Sequence, residues 1–356
     1  MNLAAALRDL QGIETEFFCA PHSGASVNRV LENARAGGFN PLPNLHLDKH
    51  HHLLHNWQDR RTLRRLLRAT PYDAIHCHLD NDHRIAAAVA PEFRIPLIRS
   101  SYEGLGFKGP GYASMLANTA LLLEPSQRAL DHDRDRFSLD PGRLALVPGA
   151  IDVHRFDPTL LRIDGKSRAE LPHDSFVIGI VARMQTHRHF EDIFTAFRRL
   201  LDERPRVQLV VVGRGTHQEK VGWQAVDRHN LAGHVYFTGY IDGDDYTAML
   251  ASFDIGVYLV PGSDGTCRAV REIMAMGKPM VVANRGMLAE IVTHGVEGLV
   301  FNGSITALHE ALCQLHDDAT ERASMGRAAR TKALERYSLE AQSAQVAGLY
   351  RKLLTS

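Results

Sequence analysis

Short apolar, β-branched runs alternate along the chain with longer stretches whose apolar residues return every three or four positions. The runs cover residues 14–20, 73–79, 95–100, 120–123 and 144–147, then 176–182, 207–212, 235–238, 255–260 and 280–283. Such runs predict buried strands. The helical period predicts helices over 1–10, 57–69, 83–90, 125–134, 190–204, 218–229, 246–252 and 268–276, and a helical tail over 305–355. Residues 21–48 read as loop, punctuated by Gly24, Gly37, Gly38, Pro41 and Pro43. Strand alternating with helix predicts right-handed βαβ units and parallel sheets, an α/β fold.

Composition narrows this picture. A length of 356 residues predicts two domains. With 44% hydrophobic and 23% charged residues, the chain has apolar material for two cores. Its formal net charge is zero, which argues against a nucleic-acid partner. Cys19, Cys77, Cys267 and Cys313 lack metal-site spacing and fit a reducing compartment. No apolar run approaches ~20 residues, and no basic-then-apolar leader opens the chain. A cytoplasmic location is therefore expected.

The chemistry concentrates in residues 254–298. The strand ending near Val260 runs into Pro261-Gly262-Ser263-Asp264-Gly265-Thr266, then into the helix from Arg268. A helix N-terminus beyond a strand's carboxyl end attracts anions, phosphate above all. Asp264 and Glu272 lie eight residues apart. Two readings fit them: an N-cap and an exposed helix glutamate, or two carboxylates gripping hydroxyls at the ends of one ligand.

This stretch resembles the donor-sugar motif of retaining GT-B glycosyltransferases, family 4. The matching residues are Asp264, Gly265, Glu272, Met274 to Pro279, Gly286, Glu290-Ile291-Val292 and Gly295 to Gly298. Asp264 departs from the usual glutamate. Pro148 to Pro158 is similar to the family's interdomain segment, with Gly149 for asparagine. Residues 182–197 resemble the segment in which Arg183 matches the family arginine and Arg188 stands for its lysine.

The resemblance implies two Rossmann-like domains facing across a cleft. Residues 1–150 would be the acceptor-side domain, 151–335 the nucleotide-sugar domain, and 336–356 a helix crossing back to the first. It also implies a strand and a Gly-rich loop before the first helix, so that residues precede Met1 and the first domain here lacks its first strand. The implied activity is retaining transfer of a sugar from a nucleotide-diphosphate donor to an acceptor hydroxyl on a glycan or lipid-linked molecule, in polysaccharide or lipopolysaccharide synthesis. Arg183 and Arg188 would hold the leaving diphosphate without a metal or cofactor. Glu272 would hold the ribose, and Asp264 with the N–H groups of Gly265 and Thr266 the sugar. Gly213 and Gly215 match the family's G-x-G turn, and Tyr240 and Ile241 the place where the base binds. On the acceptor side, Tyr102 with Glu103 occupies the position where the family often has histidine.

Other motifs have plainer readings. His50, His51, His52 and His55 read as a solvated segment rather than a metal site. His76, Cys77 and His78 alternate along a strand and cannot share one metal. Asp80 and Asp82 read as capping residues, as do Asp242 to Asp245. The helix bearing Arg60, Arg61, Arg64, Arg65 and Arg68 reads as a solvated amphipathic helix, with peripheral contact to an anionic membrane as the alternative.

Overall fold

A computed structural model describes residues 2–20, 29–42, 44–48, 50–109, 111–261 and 267–355. The backbone divides into two compact units, Met1–Pro148 with Leu339–Ser356, and Gly149–Ser338.

The first unit holds four parallel strands in sequence order: β1 (Ile75–Cys77), β2 (Leu97–Ser100), β3 (Leu121–Glu124) and β4 (Leu144–Leu146). Polar groups stop and start the helices between them. Asp82 reaches back to the N–H of Leu79 at 2.9 Å and opens the helix Asp80–Ala87. Ser126 accepts from Ala129 N–H at 3.0 Å and caps the helix Gln127–Phe137. The final helix, Leu339–Thr355, belongs to this unit. Its Val346 and Ala347 share an apolar cluster with Leu7, Ile98, Leu121 and Leu123, and Gln345 donates to Leu146 O at 2.7 Å.

The second unit holds six parallel strands: β5 (Phe176–Val181), β6 (Val207–Val212), β7 (Val235–Gly239), β8 (Ile255–Tyr258), β9 (Met280–Ala283) and β10 (Gly298–Phe301). Their order is β10-β9-β8-β5-β6-β7. Helices cover both faces, each over its own apolar layer. One layer includes Phe190, Phe194 and Phe197; the other includes Phe253, Val270, Ile273 and Met274. Strand order reverses between β5 and β8. In such sheets the chain leaves β5 and β8 in opposite directions, and a crevice opens at their carboxyl ends.

Three expectations fail locally. The strand over 14–20 is reduced to one bridge, Phe18 to Leu42. Its aromatics pack edge-on instead, Phe17 on Phe39 and Phe18 on Tyr72. Within the loop of 21–48 stands a helix, Arg29–Ala36, which closes at Gly37 and Gly38. Glycine and proline around it hid a period only eight residues long. The helix over 218–229 is a wide π-turn, Glu219–Trp223, followed by Gln224–Arg228. Gly222 lies against Met184 Sδ there, where a Cβ would come to 3.0 Å. Among the described residues no helix is long and apolar enough to cross a membrane.

Candidate active site

The loops leaving β5, β6 and β7 meet backbone to backbone. A Cβ on Gly213 would stand 2.6 Å from Ala182 O, and one on Gly215 2.1 Å from Met184 O. Only glycine permits that approach. Gly213 N–H donates to Gly239 O at 2.9 Å, which joins the β7 exit to the β6 exit. Tyr240 follows, exposed, with the Arg214 guanidinium 5.6 Å above its ring. Ile241 is half-buried against the apolar layer.

Arg183 and Arg188 occupy different environments. Arg183 is exposed just past β5. Arg188 ends the short turn Thr186–Arg188 and is 7% exposed. Its Nη1 donates to Val260 O and Pro261 O, each at 3.0 Å. The guanidinium thereby ties the β5 exit to the β8 exit across the switch point. Its Nε has no hydrogen-bond partner among the described residues.

Asp264, Gly265 and Thr266 lie outside the described residues. The helix beyond them, Arg268–Ala275, opens at Cys267, which sits in the left-handed region at φ 48°. Cys267 is thus the N-cap, rather than a residue of the preceding turn. Glu272 is buried, not an exposed helix glutamate. Tyr246 OH donates to its Oε2 at 2.6 Å and Arg268 Nε to its Oε1 at 2.6 Å. Burial, then the Glu272 charge, pushes the Tyr246 phenol far above its ordinary range. The acidic run before it caps nothing through Asp242, whose side chain makes no cap bond. Asp245 pairs with Arg168 at 3.2 Å.

The β9 exit completes the edge. Gly286 stands at φ 56°, and a Cβ there would reach Pro261 Cγ at 2.7 Å. Arg285, passed over in the sequence, carries a buried Nη1 without a hydrogen-bond partner among the described residues. The signal for it was an arginine beside glycine just past a strand.

In the first unit, the exits of β1, β2 and β3 gather a polar cluster that sequence spacing did not reveal. Tyr102 OH lies 2.8 Å from His78 Nδ1. His78 stacks on His76, with ring centroids 4.3 Å apart. Burial, and then the nearby cationic groups including Arg99, push His78 down to about 4, so it is neutral near pH 7. Glu103 is exposed, its N–H on Ser101 Oγ at 3.2 Å. Arg99 is buried and donates to Asp80 at 2.9 Å. Asp80 is therefore an ion-pair partner, and Asp82 alone does the capping. Glu124 is fully buried near Asp133, which takes Phe107 N–H at 2.9 Å. Burial and the Asp133 charge hold Glu124 far above the usual carboxylate range.

In the histidine run, His50, His51 and His52 are exposed and His55 is half-buried, as a solvated segment requires. His52 Nδ1 accepts from His55 N–H at 3.3 Å, and His55 Nδ1 meets Asp48 at 2.6 Å. One ligand atom each from Asp48, His52 and His55 lies within 4.8 Å of the others.

Comparison with known proteins adds to this geometry. The family "Glycosyl transferases group 1" matches residues 164–332, and "Glycosyltransferase Family 4" matches residues 1–155. A GDP-mannose-dependent monoacylated alpha-(1-6)-phosphatidylinositol monomannoside mannosyltransferase of Corynebacterium glutamicum is 28% identical over 54% of this chain and 52% of its own length. A D-inositol 3-phosphate glycosyltransferase of Paenarthrobacter aurescens is 24% identical over 93% of this chain and 86% of its own. The chain thus spans about half the length of the first of these relatives. Among solved structures, a glycosyltransferase from Rickettsia africae superposes with a TM-score of 0.84 at 13% identity, over 100% of this chain and 94% of that one. Anabaena HepE in complex with UDP gives 0.78 at 16% identity, over 99% and 94%.

Proposed function

Because the chain belongs to the group 1, family 4 glycosyltransferases of GT-B fold, with two Rossmann-like units, we propose that it moves a sugar from a nucleotide-diphosphate donor to an acceptor hydroxyl with retention of anomeric configuration. The observation that carries this reading is the convergence of the β5, β6, β7 and β8 exits, with Arg188 bonded across the switch point. A dinucleotide-like ligand binds at that place in an open α/β sheet.

Arg183, exposed at the β5 exit, meets the diphosphate as its charge grows, an interaction strongest in the transition state. Arg188 holds the β8 exit in place and offers its remaining N–H groups. Arginine supplies bidentate donors, so the reaction draws on no metal. Glu272 takes ribose hydroxyls on the lone pairs that Tyr246 and Arg268 leave free, since a carboxylate offers about four acceptor sites. Asp264, Gly265 and Thr266 hold the sugar. Gly213 and Gly215 let the backbone approach the nucleotide, beside Tyr240 and Ile241 at the base. The acceptor oxygen attacks the anomeric carbon from the face that the leaving group vacates. Its proton passes to the departing phosphate oxygen, and no protein nucleophile is required.

The C. glutamicum relative is described as GDP-mannose-dependent and the Anabaena structure contains UDP. Guanine and uracil nucleotides are therefore the first donors to test. The acceptor is a glycan or a lipid-linked hydroxyl of a cell-surface polymer, met by Tyr102 and Glu103.

Thermal unfolding with UDP, GDP and their sugars tests the site, because a ligand of the native state raises its melting point. One nucleotide family should stabilise the chain, and Arg183→Ala or Glu272→Ala should abolish the shift. No response to any nucleotide rejects the donor site. A shift without sugar transfer or donor hydrolysis points instead to a protein that binds nucleotide without catalysis.

A further inference from the structure

The helix Leu53–Ala69 carries one face that nothing in its own unit covers. Its inner face is fully engaged. Leu63 and Leu67 are buried in a core cluster, and Asp59 takes the N–H groups of His46 and Leu47 at 2.7 and 3.0 Å. Asn56 exchanges amide hydrogen bonds with Asn81 at 2.8 and 3.1 Å. The outer face bears Leu54, Trp57, Arg61, Arg65 and Arg68, spaced three or four residues apart on one stripe, with Leu53 beside it.

Leu53 is 77% exposed, Leu54 69% and Trp57 60%. Single exposed apolar side chains are ordinary, but three large ones within two turns form a patch. The next turns are basic. Arg64 is bound to Glu92, whereas Arg61, Arg65 and Arg68 are exposed and form no salt bridge among the described residues. The face is therefore graded, apolar at the helix start and cationic beyond it.

We infer that this face docks on an anionic lipid bilayer. Leu53, Leu54 and Trp57 enter the boundary between headgroups and acyl chains, while Arg61, Arg65 and Arg68 lie among lipid phosphates. An aromatic and two leucines beside arginines match both layers of such a surface. A protein partner would need acceptors paired to three arginines and a pocket for the tryptophan; a bilayer offers both without specific fit. The Asn56–Asn81 pair sets the helix start against the β1 exit, where Leu79 is 66% exposed next to His78. Docking thus brings the Tyr102–His78 pair to the membrane surface. That last step rests on the lipid-linked acceptor proposed above; the docking surface itself does not.

The chain has two tryptophans, Trp57 and Trp223, so Trp223→Phe leaves Trp57 as the sole reporter. The full chain is mixed with vesicles of phosphatidylcholine alone or with phosphatidylglycerol, and Trp57 emission and the sedimented fraction are read. Anionic vesicles should shift the emission to the blue and sediment the protein; neutral vesicles should do neither. Each exposed arginine strengthens binding about fivefold, so Arg61→Glu, Arg65→Glu and Arg68→Glu together should weaken it about 100-fold or more. Leu53→Ser, Leu54→Ser and Trp57→Ser should abolish sedimentation. Should charge reversal lower the melting point, the three Arg→Gln changes replace it. The inference is overturned by absence of binding to anionic vesicles, by binding without a Trp57 shift, or by binding that survives both sets of changes. Nucleotide-induced stabilisation, measured on the same variants, reports separately on the donor site.

Discussion

Tyr246 and Glu272, 26 residues apart in the chain, share a 2.6 Å hydrogen bond. The phenol donates and the carboxylate accepts, with Arg268 on the other oxygen. A buried carboxylate needs such partners, because an unpaired charge there is expensive. Tyr246→Phe removes one of them and keeps the ring. It should cost about 1.5–3 kcal/mol of stability, the range for a hydrogen bond to a charged group. Denaturant midpoints measure the cost. If Glu272 also holds a ribose, nucleotide stabilisation should weaken by more than the stability loss alone predicts; a change confined to the midpoint would make the pair purely structural.

Gly215 tests the crowded loop junction. A Cβ would stand 2.1 Å from Met184 O, a backbone atom that cannot yield cheaply. Gly215→Ala should push the β6 exit away from the β5 exit, lower stability by about 1–3 kcal/mol as overpacking does, and abolish nucleotide-induced stabilisation. Gly348 provides the control. It lies in the helix Leu339–Thr355 with open space around it, so Gly348→Ala should raise stability by up to about 1 kcal/mol through helix propensity. Equal responses at the two positions would refute the steric argument.

The α/β organisation was legible because buried parallel strands leave a local trace. β6 and β9 stand where their apolar runs placed them, at Val207–Val212 and Met280–Ala283. Long-range pairing leaves no such trace. Nothing in the spacing of Glu272 announces Tyr246, so the sequence alone leaves an exposed glutamate as one of two readings. The same holds for His78 with Tyr102, which meet where the exits of β1 and β2 lie side by side, and for Glu124 with Asp133, which meet where the end of β3 packs against the helix Gln127–Phe137. Residues 14–20 show the converse: strand-forming side chains without a ladder make one bridge. Arg183 and Arg188 look alike in sequence, yet one is exposed and the other engaged, a difference set by where the β8 exit passes.

Glu124 gives the first unit a pH signature. Its carboxyl is raised by burial and by Asp133, so the folded state keeps a proton that the unfolded chain releases above about pH 4.5. The folded state therefore binds more protons, and this group's stabilisation is complete below that pH and declines as pH rises. The slope is at most about 1.4 kcal/mol per pH unit for one proton. The opposite sign holds for His78 and His83, lowered to about 4 and about 3 chiefly by burial. Their contribution is present above pH ~6.5 and is lost as pH falls toward those values. Glu124→Gln, which mimics the protonated acid, should flatten the alkaline decline and leave the acid limb unchanged. Unfolding curves from pH 4 to 9 measure both limbs; an unaltered alkaline slope in the variant would show that Glu124 is ionised in the folded state.

Arg188 separates fastening from charge. Its Nη1 spans the carbonyls of Val260 and Pro261, and the planar guanidinium fixes both bonds at once. Lysine carries the same charge but is a flexible point donor. Were Arg188 only a counter-charge for diphosphate, Arg188→Lys would retain most nucleotide binding. If fastening the β8 exit matters, Arg188→Lys should behave almost as Arg188→Ala. Both should then lose about 2–3 kcal/mol, since two part-buried carbonyls are left without their charged donor. Arg183→Lys supplies the comparison, because the exposed Arg183 has no such fastening task. It should keep wild-type stability and weaken nucleotide binding by less than tenfold. Melting points with and without nucleotide for the three variants distinguish the two roles, and lysine rescue at position 188 but not at 183 would invert the assignment.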